Sequence, residues 1–228
     1  MKLKYYALLS IGLIFSNINS SYADGALMVL PISMSVSDES PHTVTVKNTG
    51  DEAMYLKVEL QKVLNPGDKN EKKVIVSSLP SPGLIAFPAK LALGPNQSKK
   101  LTINPLYSPE KEEVYRLYIL PVRNYQVVEE TSDKINAPVV FALGYGALIR
   151  HTPEVAKQVQ DWSARCNGQG MILTNTGNTR VLFSSVQAGN KSAKIDKSIA
   201  VFPGTPQQIN STAFIAKVDN KSVIVKCD

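Results

Sequence analysis

The chain has 228 residues, 43% of them hydrophobic and 19% charged. That size allows one large domain or two small ones with a buried core, and the composition excludes wholesale disorder. The formal net charge is +6, but the basic residues are scattered, whereas a nucleic-acid binder concentrates its charge on one face; the excess reads as solubility and weak attraction to acidic partners, with no nucleic acid among them.

Residues 1–23 read as a secretory signal peptide. Lys2 and Lys4 give a basic start, Tyr5 to Phe15 form a mostly apolar run without a charge, and Ser21-Tyr22-Ala23 places small residues before a cut. The run is too short to span a bilayer, and no later segment reaches spanning length. The expected mature chain, starting at Asp24, is therefore exported, without membrane insertion, and carries a charge of +4 once Lys2 and Lys4 are removed.

From there the chain reads as β throughout. Runs rich in Val, Ile, Leu, Tyr and Thr recur between Gly, Pro, Asn, Asp and Ser. They are Ala26 to Val36, Thr43 to Lys47, Ala53 to Val63, Lys73 to Ser77, Lys99 to Ile103, Val114 to Val122 and Val139 to Arg150. Seven short strands in about 125 residues suit an immunoglobulin-like sandwich. Fourteen prolines argue against long helices. Glu154 to Trp162 is read as a linker or a first strand.

A second series follows at Gly170 to Leu173, Val181 to Val186, Ser198 to Phe202, Thr212 to Val218 and Ser222 to Cys227. Two features recur in the same order in both series. A strand ends in Asn48-Thr49-Gly50 and again in Asn175-Thr176-Gly177; Pro95 precedes Leu101 by six residues, as Pro203 precedes Ile209. The repetition points to two related domains, 24–150 and 151–228, with the break near His151 to Pro153.

Cys166 and Cys227 are the two cysteines. An even count in an exported chain points to one disulfide within the second domain. The alternatives are two free thiols or half of a metal site, and neither His42 nor His151 has ligand spacing to a cysteine. Both histidines read as surface residues. No nucleophile elbow, paired-histidine helix or phosphate loop is present in the sequence, so no enzyme activity, metal or cofactor is expected. Function then rests on a binding surface.

Six segments resemble the alternate class of periplasmic fimbrial (pilus) chaperones of the chaperone/usher pathway, those serving colonisation-factor fimbriae of enterotoxigenic bacteria. They are Met28 to Ser33, Leu64 to Gly67, Leu84 to Leu101, Lys111 to Tyr118, Tyr145 to Arg150 and Asn175 to Asn178, in family order from about residue 25 to 190. The resemblance implies an all-β chain of two immunoglobulin-like domains in a boomerang arrangement, located in the periplasm. It implies partners as well: fimbrial subunits (pilins and a tip adhesin) and an outer-membrane usher. Such subunits are sandwiches lacking their last strand, which the chaperone lends.

Val139, Phe141, Leu143 and Tyr145 supply the alternating apolar row that a lent strand needs. The polar stretch Arg123 to Ala137 before it reads as a long loop. The resemblance further implies a basic anchor for the subunit's C-terminal carboxylate. Arg116, in the apolar run Val114 to Leu120, is the first candidate, because burying an unpaired guanidinium is costly and a carboxylate would relieve it; pairing with an acid of its own domain is the alternative. Arg150 is the second candidate. A competing reading of the whole chain is a fimbrial structural subunit or adhesin, which would lack its own final strand.

Overall fold

The computed structural model describes residues 27–122, 144–188 and 198–227. The expected signal peptide, the stretch Arg123 to Ala137, and Val139, Phe141 and Leu143 lie outside the described residues.

Among the described residues the first sandwich contains ten strands. One sheet orders β1 (Leu27–Leu30), β3 (His42–Asn48), β8 (Ser98–Pro105) and β6 (Leu84–Phe87). The other orders β2 (Ser33–Val36), β10 (Tyr145–His151), β9 (Glu113–Pro121), β4 (Met54–Val63) and β5 (Lys73–Ile75), with β7 (Lys90–Leu93) also on β4. Alternation places one side of each strand inward. Val44 and Val46 of β3, Leu101 and Ile103 of β8, Leu117 and Ile119 of β9, and Ala147 and Ile149 of β10 share one core.

The expected single strand Ala26 to Val36 is two strands in different sheets. β1 runs antiparallel to β3, and after Pro31 the chain crosses to the other sheet, where β2 runs parallel to β10. Pro31 lacks the N–H that a continuous ladder would need, which is why the break falls there.

The second sandwich packs β11 (Trp162–Cys166), β12 (Met171–Asn175) and β15 (Gln207–Ile209) against β14 (Ile199–Val201), β13 (Val181–Ala188), β16 (Ala213–Val218) and β17 (Lys221–Lys226). Phe183 sits at its centre, edge-on to Trp162 at 5.0 Å and to Phe214 at 5.5 Å. Cys166 and Cys227 are bonded, with Cα atoms 5.8 Å apart, and so tie the two sheets together. The stretch Glu154 to Trp162 holds a short 3-10 turn at Val155–Lys157 before β11 begins.

The repeated Asn-Thr-Gly has the same physical role in both sandwiches. The buried Asn48 amide donates to the carbonyls of Glu52, Leu93 and Gly94. The Asn175 amide donates to those of Thr179 and Val201. Each side chain thus closes its own turn and satisfies backbone from a distant segment. Gly177 has a further reason to be glycine: a Cβ there would collide with the Val159 carbonyl oxygen. The repeated prolines also lead to matched places, since Leu101 pairs with Val44 and Ile209 pairs with Met171.

The two sandwiches touch through a small apolar cluster. Val63 and Val114 of the first meet Phe202 of the second, flanked by Leu148 and Ala200.

Candidate strand-binding edge and basic cleft

β10 lies between β9 and β2, but its two neighbours differ in length. β9 pairs with all of Tyr145 to His151, whereas β2 pairs only from Leu148 to His151. Among the described residues, the β2 side of Tyr145 to Ala147 therefore carries no ladder. Leu30, 52% exposed, and Ile32, 65% exposed, flank the crossing into β2. An unpaired strand edge beside exposed apolar side chains is suited to accepting another strand.

Within β10 the odd-numbered side faces inward: Ala147, Ile149 and His151 are buried. Tyr145 has the same parity but sits at the rim, 38% exposed. The even-numbered side, Gly146, Leu148 and Arg150, faces away from that core. Leu120 and the Tyr118 ring of β9 lie across Gly144 and Gly146, and a Cβ at Gly144 would collide with the Leu120 side chain. Glycine there lets the neighbouring side chains cover the bare backbone.

At the other end of β10 a cleft of about 370 Å³ is lined by Ser35, Arg150 and Thr152 from one side and by Thr179, Arg180 and Asp219 from the other. Glu112 lies behind it with its carboxylate buried. One carboxylate oxygen accepts from Arg150 Nη1 at 3.3 Å, and the other accepts the Arg180 backbone N–H at 2.7 Å. The Glu112 N–H in turn donates to the Asn178 carbonyl at 2.8 Å. Burial, then the neighbouring charge of Arg150, lower the pKa of the Arg180 guanidinium, against the pull of Glu112. Arg150 and Arg180 face Glu112 and the lining Asp219, so the named charges balance, and the two guanidinium groups form the side of the cleft that could receive an anion.

Arg116 does not have the surroundings expected of it. It lies on the outer face of its sheet, and its Nη2 donates to Glu71 at 2.8 Å, with Nε at 3.4 Å from the second oxygen. Glu71 also meets Lys73 at 3.6 Å. The partner comes from the polar loop before β5, 45 residues away, so the argument from an unpaired guanidinium does not hold. Arg150 is in the cleft, paired with Glu112. Arg180 was not singled out from the sequence; it follows Asn175-Thr176-Gly177 by three residues, and nothing local distinguishes it from a solvated turn residue.

His151 is 1% exposed, not on the surface as expected. It is packed against Tyr107 and Tyr115, with ring centroids at 5.9 and 6.4 Å. Beside it, Glu113 accepts from Lys62 Nζ at 2.6 Å and from the hydroxyls of Tyr115 and Tyr107 at 2.5 and 3.2 Å. Burial pushes the Glu113 carboxyl up, but these three donors outweigh it and hold the group below its ordinary value. Burial, reinforced by Glu113, pushes the Tyr115 phenol far up. Among the described residues no group of three or more His, Cys, Asp or Glu side chains could hold a metal ion.

The same arrangement of two sandwiches is found in solved structures. A class 5 fimbrial chaperone, CfaA, superposes with a TM-score of 0.69 over 88% of this chain and 98% of its own, at 23% identity. This is the fold of the fimbrial chaperones. The Escherichia coli chaperone DraB gives a TM-score of 0.56 at 15% identity over 89% of this chain and 96% of its own. The SafB chaperone, solved in complex with the Salmonella enterica SafA pilin, gives 0.59 at 12% identity over 89% and 96%. Two curated Escherichia coli relatives, both named as fimbrial subunits, are similar in sequence. The one from CS1 fimbriae is 31% identical over 163 residues, or 70% of this chain, and the one from CFA/I fimbriae is 29% identical over 161 residues, or 69%. The chain spans 66% of the length of each. No family model matches. Among the described residues of this chaperone-like fold no helix is long and apolar enough to cross a membrane.

Proposed function

We propose that the protein is a periplasmic chaperone that binds fimbrial subunits by lending them a strand and passes them to an outer-membrane usher. The observation that carries this reading is the edge of β10 from Tyr145 to Ala147, which among the described residues has no ladder on its β2 side and lies beside exposed Leu30 and Ile32. The row Val139, Phe141, Leu143 and Tyr145 is the proposed subunit-facing side. Its residues have the odd-numbered sequence parity of Ala147 and Ile149, whose side chains face inward. Residues 1–23 are proposed to direct export, and residues 24–150 and 151–228 to be the two domains. The proposed anchor for a subunit's C-terminal carboxylate is Arg150 with Arg180, in preference to Arg116, whose guanidinium already holds Glu71.

The names of the curated relatives favour a second reading, a structural subunit. Against it, β10 fills its place between β2 and β9 and completes the first sandwich's core, whereas a subunit keeps an open groove. Co-expression with a fimbrial subunit followed by gel filtration separates the two. A one-to-one complex lost in Phe141→Asp supports the chaperone; self-polymerisation of this chain alone overturns it. In the same assay Arg150→Ala should reduce complex formation while Arg116→Ala does not, and the opposite pattern returns the anchor to Arg116.

A further inference from the structure

His151 ends the strand that carries the proposed binding edge, and it is buried where a second proton has no place to go. Its Nδ1 is enclosed with no hydrogen-bond partner among the described residues. Among the described residues, the charged and titratable groups around it come from three segments. β9 brings Glu113 and Tyr115, β4 brings Lys62, and the turn before β9 brings Tyr107. β2, whose Val36 pairs with His151, brings no titratable side chain. The one carboxylate, Glu113, is already committed to Lys62, Tyr115 and Tyr107. Arg150 and Glu112 precede their neighbours on the opposite face and pair with each other.

A protonated ring would thus carry an N–H without an acceptor, next to the Lys62 ammonium, with only a shared carboxylate to offset the charge. Burial lowers the histidine's pKa first and Lys62 adds to that, while Glu113 and a hydrogen bond to the Tyr107 backbone oppose them. Of the two ladders that hold β10, the seam with β2 is the shorter. It is four residues long, and Leu148 N–H to Ile32, at 2.8 Å, and Thr152 N–H to Val36, also at 2.8 Å, close its two ends. Opening it brings water to the imidazole.

We propose that His151 is a proton switch on the β2–β10 seam: taking up a proton opens the seam and the domain junction behind it, and speeds release of a strand held on the neighbouring edge. The second half rests on the strand-lending reading above; the first half does not. Opening is silent above about pH 6.5, where the ring is neutral in the closed and open forms alike, and each unit of pH below that favours the open form by up to about tenfold, until the closed form also titrates.

The test begins with the free protein. His42 is the only other histidine, so His42→Asn leaves a single imidazole to follow by NMR between pH 8 and 4.5. Hydrogen-exchange protection of the Leu148 and Thr152 amides is compared at pH 7.5 and 5.5 with that of β3–β8 amides in the same sample. The expected result is an imidazole that titrates below the ordinary histidine range, with seam protection falling about tenfold more than the β3–β8 reference. A parallel fall in both sets, or an ordinary titration, overturns the switch. His151→Phe should remove the difference; if that variant does not fold, the wild-type comparison still decides. Dissociation of a preformed complex is then timed at both pH values. Faster release at pH 5.5 in wild type only supports the full proposal, and equal release with a responsive seam overturns its second half. Failure to form any complex at pH 7.5 refutes the strand-lending reading and leaves the seam result standing.

Discussion

Glu112→Ala tests whether the two sandwiches act as one unit. The carboxylate is buried and accepts the Arg180 backbone N–H at 2.7 Å, a charge-assisted bond worth about 1.5–3 kcal/mol. Its second contact, to Arg150 at 3.3 Å, is weaker, because the arginine side chain remains 23% exposed and can rehydrate; about 1 kcal/mol is a fair allowance. Removing both should cost about 3 kcal/mol. Glu112→Gln keeps a neutral acceptor for the Arg180 N–H and should lose roughly half of that. Urea unfolding supplies two independent probes. Trp162 is the only tryptophan and packs on Phe183 in the second sandwich, whereas far-UV circular dichroism reports both. In the native protein the two transitions should coincide. In Glu112→Ala they should separate, since among the described residues the coupling here is then reduced to the cluster of Val63, Val114 and Phe202 and the backbone bond from the residue 112 N–H to the Asn178 carbonyl. A loss below about 0.5 kcal/mol with coincident transitions would refute the reasoning and reduce Glu112 to an incidental pair.

The Cys166–Cys227 bond closes 61 residues, so its loss in Cys166→Ser/Cys227→Ser should cost about 4 kcal/mol by chain entropy, read as a lower urea midpoint for Trp162 fluorescence; an unchanged midpoint refutes that account. Lys62→Met removes a donor from the half-buried Glu113 and should cost about 2 kcal/mol. The pH dependence has a definite sign: a carboxyl held low contributes stability above its unfolded pKa of about 4.3 and loses it as pH falls through the folded value. The deficit of Lys62→Met relative to the native chain should therefore be full above about pH 4.3 and shrink as pH falls through the folded value, read from urea midpoints by circular dichroism at pH 7 and pH 3.5; a deficit that stays constant or widens in acid refutes the linkage. Asn48→Ala removes the amide donor shared by the Glu52, Leu93 and Gly94 carbonyls and should lower stability by about 2 kcal/mol, with Asn175→Ala acting likewise on the second sandwich; thermal melts within a degree of the native protein would count against the shared role of these amides.

Features set by local chemistry were legible before the structure. The Asn-Thr-Gly repeats and the paired prolines depend on turn geometry and lie within a few residues of one another, and the alternating apolar runs identify the long strands β3, β4, β8 and β9. What escaped depends on distant partners. β15 has three residues, and β11 is mostly exposed, so neither carries a strong apolar alternation. Ala26 to Val36 is uniformly strand-like, and only pairing separates its halves into two sheets. Arg116 in an apolar run has the same local sequence whether or not Glu71 reaches it from 45 residues away. His151 follows an arginine and precedes a Thr-Pro, which reads as surface, yet Tyr107 and Tyr115 cover it.

The candidate site gathers on one strand, and its dimensions constrain what it can hold. Tyr145 to Arg150 spans five steps of extended chain, about 17 Å. The open edge occupies the first part of that span and the basic cleft lies at its end, while β2 fills the stretch from Leu148 onward. A partner that paired along the edge could not stay in the ladder all the way to Arg150. It would have to leave at Ala147 and cross the outer, even-numbered face of β10, past Gly146 and Leu148, before its anion reached the arginines. Glu112 is buried behind them and bonded to both domains, so an arriving carboxylate adds to that charge and does not displace it. A partner ending in a neutral amide could still pair along the edge and would gain nothing in the cleft. Ladder and anchor are thereby separable contributions, one insensitive to salt and the other weakened by it.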